Sequence, residues 1–155
     1  MQLRVVRRVP IGDVSQRVTE LKTKYGGSLE GVPDLFAGGR IGREAMDDYV
    51  EWLGMEQALR AYGEGEDFDY FTEEVLEFGW DEISRLTPRR LELLDKLSRH
   101  RVESINDLAS KIGRNVKNVY NDLKALEGLG FVALVREERR SVPELLVKEV
   151  AILLW

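Results

Sequence analysis

The chain has 155 residues, 43% of them hydrophobic and 33% charged, with a net charge of −5 and no cysteine. That apolar content supports one full domain or two small ones and excludes bulk disorder. The lack of cysteine excludes a disulfide framework and a thiolate metal site; no apolar run approaches a membrane span and no signal-peptide core is apparent, so a cytoplasmic location without a membrane partner is expected.

The charge is unevenly spread. Met1 to Ser84 hold 9 Lys/Arg and 18 Asp/Glu, a net −9, whereas Arg85 to Trp155 hold 14 and 10, a net +4. Binding to a polyanion depends on the local field, so overall acidity does not exclude a nucleic-acid function for the second half.

In chain order, Met1 to Pro10 reads as a strand, with Leu3, Val5 and Val9 on one face and Arg4, Val6 and Arg8 on the other. It is either a DNA-contacting arm or, more simply, an edge strand guarded by charge. Asp13 is expected to cap a helix through Lys24, with Val14, Val18, Leu21 and Tyr25 at helical spacing and Gly26-Gly27 ending it. Ser28 to Gly42 is a Gly-rich connection containing Pro33 and Gly38-Gly39. It lacks the Lys-Ser/Thr ending of a P-loop and any Gly-x-Gly-x-x-Gly, so it reads as a mobile loop rather than a phosphate cradle.

Arg43 to Tyr62 is the strongest helical pattern of the front half. Met46, Tyr49, Val50, Trp52, Leu53, Met55, Leu59 and Tyr62 cover a wide face, which calls for burial on more than one side. This helix is either the centre of a small front domain or a homodimer contact made by Tyr49, Trp52, Leu53 and Met55. Gly54 costs about 1 kcal/mol relative to alanine in a helix interior, so it marks a break or a close helix approach.

Between Glu64 and Glu82, 9 of 19 residues are acidic, interleaved with Phe68, Tyr70, Phe71, Phe78 and Trp80. The segment is either a partner-binding or DNA-mimicking stretch or, more plainly, a strand over Glu74 to Phe78 followed by a short helix from Asp81 towards Leu86.

From Leu86 onward the local signals agree with one another. Thr87 is a good N-cap and Pro88 suits the first helical position; Leu91, Leu93, Leu94 and Leu97 follow. Ser104 or Asn106 caps a second helix carrying Leu108, Ala109 and Ile112, and Gly113 ends it. Asn115 caps a third helix with Val116, Val119, Tyr120, Leu123 and Leu126 as its apolar stripe, closed by Gly128 and Gly130. Phe131, Val132, Leu134 and Val135 form a strand, and Arg136 to Arg140 a charged tip. Two short helices around a Gly turn make a helix-turn-helix, whose second helix suits a major groove. With the stripe buried, Lys117, Asn118, Asn121 and Lys124 face outward. Asparagine can bond adenine bidentately, and lysine can reach guanine or phosphate.

The run LTPRRLELLDKL…IGRNVKNVYNDLKALEGLGFV resembles archaeal and bacterial winged-helix transcriptional regulators related to the ArsR and MarR groups, some of them antitoxin-like. The resemblance covers about Phe78 to Pro143. Its most specific pieces are Leu86-Thr87-Pro88 and Lys124 to Gly130. It implies double-stranded DNA binding through the third helix and the wing, with Arg114, Asn115, Lys117, Asn118, Asn121, Lys124, Arg136, Arg139 and Arg140 as contacts. Glu137 and Glu138 depart from a purely basic wing tip and oppose deep minor-groove insertion.

After Pro143, which allows the strand to restart or turn, Leu145, Val147, Glu149 and Ala151 alternate with Leu146, Lys148, Val150 and Ile152. So apolar an end, closed by Leu153-Leu154-Trp155, is expected as a strand paired within the chain or across a dimer.

His100, the lone histidine, ends the first helix of this region, where a cation suits the helix dipole. With no second histidine and no cysteine, neither a zinc site nor a Cys/His nucleophile pair is available. No enzyme activity and no cofactor are expected.

The sequence thus predicts a mainly α protein with a small β-hairpin (α+β). Residues 1–63 form a mostly helical N-terminal dimerisation region, 64–84 an acidic aromatic connector, and 85–155 a C-terminal winged helix-turn-helix with a final strand. The expected function is a sequence-specific, homodimeric DNA-binding transcriptional regulator with its recognition helix at about 115–127. The alternative is an antitoxin-like module whose acidic, aromatic front half binds a partner protein.

Overall fold

The computed structural model describes residues 1–27, 42–66 and 69–155. Most of the Gly-rich connection and Phe68 lie outside these. The chain divides into two units, one made of Met1–Arg7 with Thr72–Trp155, the other of Arg8–Phe71. The division thus falls inside two strands, β1 (Gln2–Val9) and β2 (Tyr70–Glu77), rather than at residues 63 and 84. The architecture is α+β with small antiparallel pairings.

The larger unit holds β1, β2, α3 (Trp80–Ile83), α4 (Pro88–Arg99), α5 (Ile105–Ile112), α6 (Val116–Gly128), β3 (Val132–Glu137), β4 (Arg140–Leu145) and β5 (Val147–Leu153). Each of the three long helices starts where its cap predicts. The Thr87 and Ser104 hydroxyls accept from the backbone N–H of Arg90 and Asp107, and Asn115 caps α6. Gly113 ends α5 at φ 67°, a conformation that most side chains resist. His100 is the residue after α4, as expected.

These helices share one core. Leu93 and Leu97 of α4, Ile105, Leu108 and Ala109 of α5, and Val119, Leu123 and Leu126 of α6 pack with Leu3, Val5, Phe78, Phe131 and Val132. Leu91, read as part of the α4 stripe, is instead 50% exposed.

Three strands form a sheet in the order β2-β1-β5. The first strand is therefore its centre, neither an edge nor a DNA arm. Leu3 and Val5 are buried, while Arg4 donates to Glu149 at 2.6 Å and Arg7 to Glu74 at 2.8 Å. The C-terminal strand pairs antiparallel with it, Leu3 opposite Ile152 and Val5 opposite Val150. Leu154 and Trp155, expected to be covered, are 83% and 90% exposed because β5 ends at Leu153.

β3 and β4 form a separate hairpin, closed by the Glu137–Arg140 pair around Glu138 and Arg139. Pro143 neither breaks nor turns β4; it sits inside it opposite Leu134, where a two-stranded ribbon leaves one side without ladder bonds.

The smaller unit packs α1 (Ile11–Tyr25) against α2 (Arg43–Gly63). α1 begins two residues before Asp13, which lies in its first turn rather than capping it. Val14, Val18, Leu21, Trp52 and Met55 form its core. α2 runs unbroken through Gly54, where an added Cβ would meet the Tyr70 ring at 3.2 Å, so the glycine serves close approach of a ring rather than a kink.

Asp48, on α2, is buried and holds the two helices together. It accepts from Lys24 Nζ and Tyr25 Oη, both at 2.7 Å, and from Arg17 at 3.4 Å. Burial pushes its carboxyl pKa up, but the bonds from Lys24 and Tyr25 and the charges of Lys24 and Arg17 outweigh that and hold it below the ordinary value.

Candidate nucleic-acid interface

The candidate site lies on α6 and its surroundings, all within the larger unit. Only Gly113, Arg114 and Asn115 separate α5 from α6. The Asn115 carboxamide oxygen accepts from the backbone N–H groups of Lys117 at 2.9 Å and Asn118 at 3.4 Å, which fixes the first turn. Burial of Val119, Leu123 and Leu126 then sets the helix rotation. Lys117, Asn118, Asn121 and Lys124 are left exposed, as expected.

Two expectations about this helix need correction. Val116 and Tyr120, read as part of the buried stripe, are 43% and 45% exposed. Arg114, read as a surface contact, is largely buried. Its Nη2 donates to Asp122 Oδ2 at 2.7 Å, while Arg90 Nε donates to Asp122 Oδ1 at 3.1 Å. Charged groups withdrawn from water need a charged partner; Asp122 supplies one to Arg114, tying the turn before α6 to that helix, while Arg90 ties α4 to the same carboxylate. Asn115 is likewise engaged through its oxygen as the cap.

Two grooves flank the helix. One is lined by Asn115, Val116, Lys117 and Tyr120 together with Ser104 and Asn106 at the start of α5 and Arg139, Arg140 and Ser141 of the hairpin. The other is lined by Asn118 and Asn121 with Thr87, Arg89 and Arg90 at the start of α4. The structure therefore brings Asn115, Lys117, Asn118, Asn121, Arg139 and Arg140 around the N-terminal half of α6. Arg136 is exposed on β3 and lines neither groove.

The charges are partly compensated. Lys124 donates to Glu127 at 2.8 Å, and this bond raises its pKa. Arg140 lies 3.9 Å from Glu103, both well exposed, a pair worth little in water. Glu137 and Glu138 are exposed at the hairpin tip. Arg89 was missed from the sequence. Its signal was position: an arginine in the first turn of α4, where the helix dipole disfavours a cation unless something else uses it.

The four residues read as a dimer contact separate. Trp52 and Met55 are 0% and 3% exposed because they face α1, so they cannot carry a contact to a second copy. Tyr49 packs partly against the same core, and Leu53 is 40% exposed. Among the described residues, no group of three or more His, Cys, Asp or Glu is placed to hold a metal ion, and no helix is long and apolar enough to cross a membrane.

Residues 85–152 match the family model HVO_A0114. The matched stretch takes in α4 to β4 and most of β5, with the residues lining both grooves. It leaves out β1, β2, α3 and the smaller unit. No curated protein and no solved structure matches the chain.

Proposed function

We infer that the chain is a sequence-specific DNA-binding transcriptional regulator whose residues 85–155 work as a winged helix-turn-helix. In this reading α6 enters the major groove and the β3–β4 hairpin lies along the backbone as the wing. The observation that carries it is a juxtaposition. Two helices joined by three residues present Lys117, Asn118 and Asn121 outward, and Arg139 and Arg140 line the same groove as Lys117. The amides supply base-edge chemistry, and the arginines and Arg89 supply phosphate contacts on either side.

A two-fold operator would go with a homodimer. Any dimer contact through α2 would have to use exposed residues such as Met46, Val50 and Leu53, which recur at helical spacing, rather than Trp52 and Met55. The test of the reading is recovery of genomic DNA crosslinked to the full chain, followed by titration of the recovered sites. Specific duplexes bound more tightly than shuffled ones support it; no difference from shuffled DNA rejects it.

One observation favours the antitoxin-like alternative. β2 is an edge strand that exposes Glu73, Val75 and Glu77, and Trp80 just after it is 71% exposed. An alternating acidic and apolar edge suits a partner strand. Stoichiometric co-purification of one protein, lost in Val75→Lys, would favour that reading.

A further inference from the structure

The side chains that α6 exposes are selective in kind. Val116 and Tyr120 are i, i+4 neighbours that remain 43% and 45% exposed, although Val119, Leu123 and Leu126 already anchor the helix at 0%. They line one wall of the groove that also holds Lys117, Arg139 and Arg140. The exposed parts of this pair stand outside the core beside two arginines and gain by burial only against an apolar feature of the partner. In a major groove, that feature is the 5-methyl of thymine.

The polar readers point the same way. Asn118 and Asn121 have the amide geometry that bonds adenine N6 and N7 together. The commonest reader of guanine is arginine, and α6 offers none. The Arg114 guanidinium just before it is bonded to Asp122 at 2.7 Å, with Arg90 on the other carboxylate oxygen at 3.1 Å. Lys124 is paired with Glu127. Lys117 remains for guanine or phosphate.

Resting on the DNA-binding reading, we propose that α6 reads A·T base pairs, with Val116 and Tyr120 against thymine 5-methyl groups and Asn118 and Asn121 on adenine edges. Specificity then comes from four side chains in the first two turns of the helix, and the hairpin arginines supply affinity without sequence preference.

The experiment selects duplexes from a random library with the full chain. It then replaces thymine by uracil, position by position, in the selected duplex. Uracil pairs identically and lacks only the methyl. The expected motif has an A·T core, and uracil at a contacted position weakens binding about fourfold, the value of one buried methyl. That difference should vanish in Val116→Ala at one position and in Tyr120→Ala at another. Both residues are exposed, and circular dichroism would confirm that the variants fold. A motif with a G·C core, or equal binding of uracil and thymine duplexes, overturns this proposal while leaving DNA binding standing. No enriched sequence at all would reject the DNA-binding reading, and this proposal with it.

Discussion

Single residues around α6 divide by what their polar atoms already hold. Lys117 and Asn121 are exposed, whereas Arg114 is bonded to Asp122. Under the proposed function the three should therefore behave differently when changed to alanine. Lys117→Ala and Asn121→Ala should each weaken specific DNA binding by about 1–3 kcal/mol, without lowering the melting temperature. If Lys117 meets a phosphate, its variant should also reduce the salt slope by about one. Arg114→Ala should lower the melting temperature, since it leaves Asp122 with one partner, and should weaken binding with the salt slope unchanged. Anisotropy titrations over a salt series, beside thermal melts, separate these outcomes. A parent-like melt with a shallower slope for Arg114→Ala would make it a DNA contact after all. The caps Thr87, Ser104 and Asn115 were legible in the sequence because a cap is a local bond between near neighbours. The fate of Arg114 was not, because its partner Asp122 is held in place by Arg90, which reaches the same carboxylate from another helix.

At the level of elements, α6 is held by three side chains on one narrow arc, Val119, Leu123 and Leu126, each at 0% exposure. Leu126→Ala should destabilise the larger unit by about 2–5 kcal/mol; a denaturant midpoint equal to the parent's would show that the helix is held some other way. Helical periodicity located this arc but overextended it to Val116 and Tyr120. A sequence gives the apolar residues of a helix, and only the neighbours decide how far the buried arc extends. The same limit applies to β1. Its pattern was readable, but its central place depends on partners more than 60 residues away, β2 and β5.

The α1–α2 pair carries a pH dependence. Asp48 has its carboxyl pKa held below the ordinary value. Its ionised form therefore stabilises the fold fully above the unfolded value, about pH 4, and the contribution is lost as pH falls through the lower folded value. Trp52 is the buried tryptophan of this unit, while Trp80 and Trp155 of the other are 71% and 90% exposed, so Trp52 fluorescence reports on this pair. Acid titration should show the Trp52 signal changing below pH 4 in the parent. In Asp48→Asn the same signal should indicate a weaker unit already at neutral pH, with a flatter acid profile. Parallel acid profiles for the two proteins would remove Asp48 as the cause.

For the whole molecule, the two cores share no residue, and the smaller unit is inserted between two strands that neighbour each other in the sheet. The Phe78 N–H donates to the Met1 carbonyl at 2.9 Å and Arg7 bonds Glu74 at 2.8 Å, so the chain leaves the larger unit and re-enters it at one end of the β1–β2 pair. This changes how the units must be separated. A fragment from Arg85 to Trp155 loses Leu3, Val5 and Phe78 from the core and the strand that pairs with β5, so it should fold poorly. Replacing residues 8–71 with a short Gly/Asn turn keeps all of these. The excised unit carries 7 Lys/Arg and 13 Asp/Glu, a net −6, so what remains is +1 rather than −5. Under the proposed function, removing that acidic field should leave a folded protein that binds the same DNA site, more tightly at low salt, with the gain fading as salt screens it. Thermal melts and titrations at two ionic strengths would decide. A folded variant that no longer binds would place part of the DNA-binding machinery, or the contact between copies that it requires, in the smaller unit; one that fails to fold would show that the larger core needs that unit to form.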